Sequence, residues 1–338
     1  MPRTEADEPR ISEGVAELLG TALPDAVGLT VSGVARVFGG NARRAWSATA
    51  SWTDADGGHT ADLILLVRLS GSQVRTDPAD EIRHLTGLAE QGVRAPRVWA
   101  HDGDGHLFGM PAVLLQRMAG RGDAVEYLRA DPELGRARTL DLARAAAELH
   151  AASPSTGPYD PGAQLEQWRS QFLASRLEPH PALGWLLDWL TDHQPAIERT
   201  VVVHGDFRVG NVLYDGPHIT GLLDWEMAHL GDAAEDLAWA YRALWSPVRF
   251  CSIEDFVAAY ADAGGAAIPA DSLRWHRVFS EVKFAAISLA AARSLVDGTS
   301  TNLRLADRAR TVVPAVNLCL SWIAAAEQTA RSEAGAAC

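Results

Sequence analysis

Residues 201–239 read VVVHGDFRVGNVLYDGPHITGLLDWEMAHLGDAAEDLAW, and the placing of three oxygen-bearing side chains in this stretch decides the fold. An apolar β-branched run, Val201 to Val203, leads into His204, Gly205, Asp206, Phe207, Arg208, Val209, Gly210 and Asn211. A second run, Val212 to Tyr214, and a third, Ile219 to Leu223, deliver Asp224. Short strands joined by tight turns would bring Asp206, Asn211 and Asp224 to one rim, two carboxylates and one amide carbonyl. That is the oxygen set phosphoryl transfer needs: a base to take the proton of an attacking hydroxyl, and hard oxygen ligands for a Mg²⁺ ion that keeps several waters. Asp206 is the expected base or orienter, and Asn211 and Asp224 are the expected metal ligands.

The spacing resembles the catalytic loop of protein kinases, in which an Asp is followed five positions later by an Asn and then, after a hairpin, by a metal-binding Asp. Two departures narrow the resemblance. His204 stands at the Arg-bearing start of the protein-kinase motif, and Trp225 and Glu226 follow Asp224 where protein kinases have Phe and Gly. HGDFRVGN and LLDWE are similar to the aminoglycoside phosphotransferase and choline kinase branch of the kinase-like superfamily. Within it, HGDFRVGNVLYD followed by LLDWEMAHLGDAAEDLAW most resembles a bacterial phosphotransferase group related to kinase-like domains fused to some acyl-CoA dehydrogenases. Nothing after Glu226 resembles a protein-kinase activation segment.

The resemblance implies an α+β fold of two lobes, with residues 1–118 forming an antiparallel-sheet lobe that binds nucleotide and residues 119–338 a mainly helical lobe with the catalytic loop and acceptor site. It also implies ATP and Mg²⁺ as cofactors and a small-molecule hydroxyl as acceptor. A chain of 338 residues exceeds one usual domain. Composition, 47% hydrophobic and 22% charged, is ordinary for a globular protein. A net charge of -13 argues against nucleic acid or an anionic membrane as partner, because either would be repelled. Cys251, Cys319 and Cys338 are widely spaced and odd in number, which fits a reducing cytoplasm rather than a disulfide framework or a zinc site. MPRTEADEPR lacks the apolar core of a signal peptide, and Val278 to Leu295 is broken by Glu281, Lys283 and Arg293, so neither a leader nor a span is expected there. The first ten residues and the tail after Arg331 read as loose.

Ile11, Val15, Leu18 and Leu19 recur at helical spacing, and Pro24 ends the pattern. Val34 to Phe38 and Ala45 to Trp52 read as strands around Gly39, Gly40, Asn41, Ala42, Arg43 and Arg44. A Gly-rich turn lets backbone amides approach phosphates, and in kinase-like folds that hairpin covers the nucleotide, which makes Gly39 and Gly40 nucleotide-site residues. Leu63 to Leu69 is an apolar strand with one charge, Arg68. The resemblance gives Arg68 the role of the phosphate-contacting cation, since Arg can serve phosphate and carboxylate at once. Its partner would be Glu81, with Asp80 as competitor, near the start of a helix from Asp80 to Gln91. Should Arg68 not hold the phosphates, Arg43 or Arg44 would. Ala112 to Met118 reads as a last strand ending in a hinge, where adenine would meet backbone groups of Gln116 and Met118.

Beyond the hinge, Leu134 to Ala152 reads as a helix ending in His150, which could tether the loop. A helical piece around Leu165, Trp168 and Phe172 carries Glu166, Arg169 and Arg176, and Leu183 to His193 follows as an apolar helix. Asp232 and Asp236 open a helix after the hairpins, and the resemblance makes Asp236 the holder of the metal loop. Later helices, 253–263, 273–296 and 303–328, carry no assigned chemistry. For the acceptor, a cationic aminoglycoside would need carboxylates such as Glu226, Asp232 and Glu235. A hydroxyacyl-CoA or similar anionic metabolite would need cations among Arg43, Arg44, Arg208 and Arg242. Arg208 would touch substrate or orient Asp206 or Glu226, and an inactive nucleotide-binding pseudokinase is the alternative to an enzyme.

Overall fold

Alternation in WSATASW and LILLV sends Trp46, Ala48, Ala50 and Trp52, with Leu63, Leu65 and Val67, to one face of a sheet, where they are buried. In the computed structural model, which describes residues 8–37, 43–69, 78–152, 160–197 and 199–336, that sheet has five antiparallel strands. They are β1 (Val27–Val37), β2 (Arg43–Asp54), β3 (Gly57–Arg68), β4 (Val98–Asp102) and β5 (Ala112–Gln116), ordered β1-β2-β3-β5-β4. Helix α1 (Glu8–Ala22) buries Ile11, Val15, Leu18 and Leu19 against the Trp46 and Leu65 face. The expected strand at Val34 begins seven residues earlier, because Gly28 and Gly33, both at positive φ, carry the two register shifts that interrupt β1. Phe38 and the Gly39–Gly40 turn lie outside the described residues. Helix α2 (Pro78–Leu85) is shorter than the expected 80–91: Gly87 adopts φ +84° and turns carry the chain to Gly92.

The chain divides into two compact units, Met1–Asp123 with Asn211–His229, and Ala124–Gly210 with Leu230–Cys338. A single cut at Met118 does not describe this division, since the hairpin β7 (Val212–Asp215) and β8 (His218–Leu222) belongs to the first unit. Backbone bonds explain why: Arg121 and Tyr214 exchange N–H···O bonds of 2.9 and 3.0 Å, and the Leu222 amide donates to the Arg94 carbonyl at 2.7 Å. Thr220 Oγ1 also donates to the Ala119 carbonyl. Gly120, at φ +125°, passes so close that an added Cβ would overlap the Thr220 hydroxyl.

The second unit is helical: α3 (Ala124–Arg129), α4 (Pro132–Ala151), α5 (Pro161–Ser175), α6 (Pro181–Asp192), α7 (Ala233–Ala240), α8 (Ile253–Asp262), α9 (Ala270–Val296) and α10 (Val312–Ala336). Its sheet is minimal, β6 (Val201–Val203) paired with β9 (His229–Gly231), the strand on which the chain leaves the first unit. Pro at the first turn starts α4, α5 and α6, and Asp131, Asp160, Asp232 and Ser252 cap α4, α5, α7 and α8 by accepting orphan amides. Helix α9 is buried on nearly all sides, among α5, α6, α7 and α10, which is why its apolar residues show no single stripe. The stretch Leu303–Gln328 is long and apolar enough to cross a membrane by length and composition, a property that core helices share.

Close packing in this unit has a direct test at Gly135 of α4, where a Cβ would overlap the Phe250 ring. We predict that Gly135→Ala destabilises by about 1–3 kcal/mol through overpacking, despite the better helix propensity of Ala. Thermal melts should show a Tm lower by roughly 2–10 °C.

Candidate active site

Cross-strand neighbours project from the same sheet face, and β2 and β3 pair Arg43 opposite Arg68. Of the two, Arg43 takes Glu81. Its Nη1 and Nη2 donate to the two Glu81 carboxylate oxygens, each at 2.7 Å, and Nη2 also reaches Glu226 Oε2 at 3.3 Å. This corrects the expected Arg68–Glu81 pair: both Glu81 oxygens are filled by the fork of Arg43, a bidentate geometry with strong directional preference. Arg68 lines the same small cavity, with Arg43, Glu81, Leu66, Ile82 and Pro111. Asp80, the competitor, pairs instead with Arg83 on the exposed side of α2.

The charges around Arg43 explain its state. Burial alone would lower the guanidinium pKa, but Glu81, Glu226 and Asp224 more than reverse this and hold it above its ordinary value. Burial, and then the Asp224 carboxylate, push the Glu226 carboxyl up to about 6, although Arg43 pulls it down.

Asn211 is buried, and its carbonyl accepts from the Leu223 amide at 2.8 Å, one register step beyond the Val212–Leu222 pair of β7 and β8. The hairpin therefore brings Asn211 beside the residue that precedes Asp224. Asp224 is exposed and has φ +67°, the one positive φ at a non-Gly position among the described residues. The conformation is one that Asp and Asn tolerate better than most residues. Trp225 anchors the turn, fully buried with its indole N–H donating to the Leu222 carbonyl at 2.9 Å. Among the described residues no group of three or more His, Cys, Asp or Glu side chains could hold a metal. One carboxylate and one amide suit a Mg²⁺ ion that takes its other ligands from phosphates and water.

In the second unit, β6 ends at His204, and the turn that follows hangs on one buried carboxylate. Asp236 accepts from the His204 amide (2.8 Å) and the Gly205 amide (3.0 Å), and His150 Nε2 lies 3.1 Å from it. His150 Nδ1 meets the Tyr260 hydroxyl at 3.1 Å, so the tautomer that satisfies both contacts donates from Nε2 to Asp236 and accepts at Nδ1. Asp206 is held by two donors: Arg208 Nε reaches both carboxylate oxygens at 3.0 and 3.1 Å, and the Trp239 indole N–H donates to Oδ1 at 2.6 Å. Arg208 lies over the Trp245 ring at 5.2 Å, against Gly210, where a Cβ would overlap its Nη1. Arg242 is buried, bound bidentately to Glu281 at 3.0 and 2.6 Å and set 3.6 Å over the Phe284 ring. Its pKa is lowered by burial, against the opposing pull of Glu281 and Asp206.

Trp239 had no role in the sequence reading. The signal was there: Asp236 and Trp239 are three apart on α7 and so share a helix face, the face that turns both toward the 204–206 loop. Gln116 donates its amide to the Arg97 carbonyl at 2.8 Å, while the main-chain N–H and C=O of Met118 make no hydrogen bond among the described residues.

Arg43 and Glu81 side chains are only 13% and 10% exposed, so losing the cation strands carboxylates in a poor solvent. We predict that Arg43→Met costs about 3 kcal/mol and that Arg43→Met with Glu81→Gln recovers part of this, read from urea midpoints.

Comparison with known proteins places these features. The chain is 29% identical over 192 residues to acyl-CoA dehydrogenase family member 10 of Mus musculus, and 27% identical over 246 residues to the probable acyl-CoA dehydrogenase IBR3 of Arabidopsis thaliana; these matches cover 52% and 61% of this chain but only 18% and 30% of those proteins. It is 33% identical over 169 residues to homoserine kinase of Pseudomonas aeruginosa, covering 46% of this chain and 50% of that one. Among solved structures it is similar to a Ralstonia eutropha protein provisionally described as an aminoglycoside phosphotransferase (TM-score 0.69, 20% identity, 92% of this chain and 97% of that one). It is also similar to a thermostable mutant of aminoglycoside phosphotransferase APH(4)-Ia in ternary complex with AMP-PNP and hygromycin B (TM-score 0.58, 19% identity, 92% and 98%). At such identities these structures establish the fold, which is α+β and kinase-like. The model of the phosphotransferase enzyme family matches residues 43–276, and the chain belongs to that family.

Proposed function

We propose that this chain transfers the γ-phosphoryl group of Mg·ATP to a hydroxyl of a small anionic molecule. In the step, the acceptor oxygen bonds to the γ-phosphorus as the bond to the β,γ-bridging oxygen breaks, ADP leaves, and the hydroxyl proton passes to the Asp206 carboxylate. Asn211 and Asp224 would hold Mg²⁺, which when bound offsets the negative charge of the phosphates. Arg43, held by Glu81, is the cation nearest in kind to the phosphate-binding residue of kinases, and Arg68 opposite it in register is the second. The main-chain groups of Met118 would take adenine, with Gln116 contributing the strand that precedes them. The AMP-PNP in the APH(4)-Ia complex supports ATP as donor.

The observation that carries the anionic acceptor is how the nearby charges are used. The carboxylates that a cationic sugar would need are already engaged: Glu226 with Arg43, Asp232 with the Ala234 amide and the Ser272 hydroxyl, and the fully buried Glu235 with Lys283 and Gln164. The cation at Asp206 is Arg208, still 29% exposed, and Arg308 stands 5.9 Å over the Phe284 ring that also carries Arg242. Arg208 beside Trp245 and Arg308 beside Phe284 suit a phosphate- or carboxylate-bearing alcohol with an apolar part. A hydroxyacyl-CoA is such a molecule, and two relatives carry acyl-CoA in their names.

ADP release should be measured with Mg·ATP against hydroxyacyl-CoAs and other anionic alcohols, aminoglycosides, macrolides and choline-like amines. Turnover is expected with the anionic set, and preference for an aminoglycoside would reject that acceptor class. Asp206→Ala and Asp224→Ala should each lower kcat by at least about 1000-fold, while Asp206→Ala still shows a thermal shift with Mg·ATP. A nucleotide-dependent thermal shift without turnover of any acceptor would favour an inactive nucleotide-binding pseudokinase.

A further inference from the structure

Lys283 is buried to 1% exposure on α9, and nothing in the chemistry above uses it. Its Nζ donates to the Gly205 carbonyl at 2.7 Å and to Glu235 Oε1 at 2.9 Å. It also lies 4.5 Å from the centre of the Trp239 ring and 5.6 Å from that of Trp168. Glu235 is itself fully buried, and its other oxygen accepts from Gln164 Nε2 of α5 at 3.0 Å.

Stability does not account for this pair. Desolvating an ammonium and a carboxylate cancels most of their attraction, so apolar residues of similar volume commonly serve a core as well or better. What the ammonium does locally is specific. Gly205, at φ +77°, turns its carbonyl inward, where an unpaired acceptor would be costly. Its N–H is held by Asp236 and its C=O by Lys283, so the residue before Asp206 is pinned from both sides. The same ammonium faces the indole whose N–H holds Asp206 Oδ1 at 2.6 Å. A cation over an indole face draws electron density from the ring and makes its N–H a better donor.

We propose that Lys283 is a positioning residue for Asp206. It acts through the Gly205 carbonyl and through the Trp239 ring, and the Glu235–Gln164 contacts extend the same chain of bonds to α5. The proposal rests on the reading of Asp206 as the base. Its closest rival is a Lys–Glu pair that only completes the packing between α7 and α9.

The test uses the full chain with Glu235→Gln as parent, so that Lys283→Met leaves no lone buried carboxylate. With Mg·ATP and water as acceptor, ADP release should show kcat lower than the parent by about 10–100-fold, the scale of a misplaced catalytic group. The KM for Mg·ATP should stay within about twofold, because nucleotide contacts are untouched. Trp239→Phe should cost less in the Lys283→Met protein than in the parent, since the two act on one carboxylate. A second readout does not need activity: the indole N–H resonance of Trp239, recognised as the signal missing from Trp239→Phe, should move upfield when Lys283 is removed. A kcat within about twofold of the parent, a KM for Mg·ATP raised by a factor like the fall in kcat, or an unmoved indole resonance overturns the proposal. An Asp206→Ala chain that releases ADP as fast as its parent, while the indole resonance still moves on Lys283→Met, would instead reject Asp206 as the working base.

Discussion

The carboxylate of Asp236 is the interaction on which the helical unit's chemistry depends. It is fully buried, and such a charge is tolerable only when hydrogen bonds replace its lost hydration. Here the replacements are the His204 and Gly205 amides and the His150 ring. Those amides belong to the turn that ends at Asp206, so satisfying one buried charge also fixes the turn. His150 is in turn fixed by Tyr260, which ties α4 and α8 into the same arrangement. Lys283 completes the set from the opposite side of the Gly205 peptide. A loop with one carbonyl and two amides committed in this way has little freedom left, which is what the role proposed for Asp206 requires if its carboxylate is to meet a hydroxyl in one orientation.

In the sheet unit the corresponding constraint is the crowd of acids around Arg43. Glu81, Glu226 and Asp224 come from α2 and from the turn after β8, segments far apart in sequence, and one guanidinium keeps their repulsion in check. The sequence resemblance assigned that place to the strand cation on β3. Register explains the shift to β2: residues directly opposite on antiparallel strands share a face, so either arginine could point at α2, and the planar fork of Arg43 fills both Glu81 oxygens. No property of a single strand distinguishes the two arginines, because the choice depends on strand pairing and on where α2 begins.

Other parts of the structure differed in how plainly the residues announced them. The 201–239 stretch was legible because its strands are short, β-branched and separated by Gly, and its acids fall at fixed intervals. Asp236 was reached only through the resemblance, and His150, at the end of an apolar helix, read more readily as a core or surface histidine than as a tether. Trp239 was not legible, since a Trp on an apolar helix reads as core, which it also is: 2% exposed, with only its N–H doing polar work. The start of β1 was hidden by Gly28 and Gly33, which interrupt the alternation that marks a strand. Lys283 was hidden by the opposite problem, a long helix apolar on most sides, in which one charge looks like an interruption of the core.

The return of Asn211–His229 to the first unit bears on the order in which the polypeptide can acquire its structure. During synthesis the five-stranded sheet is complete once Gln116 has emerged, yet Arg94, Ala119 and Arg121 must wait for partners on the hairpin that ends near Leu222. At ribosomal rates of about 5–20 residues per second, that delay is on the order of 5–20 s. Throughout it the newborn sheet carries unpaired backbone at its hairpin-facing end and an acid-binding arginine without Glu226. Through this interval that backbone stays open to solvent, and a ribosome pausing between codons 123 and 222 would lengthen it.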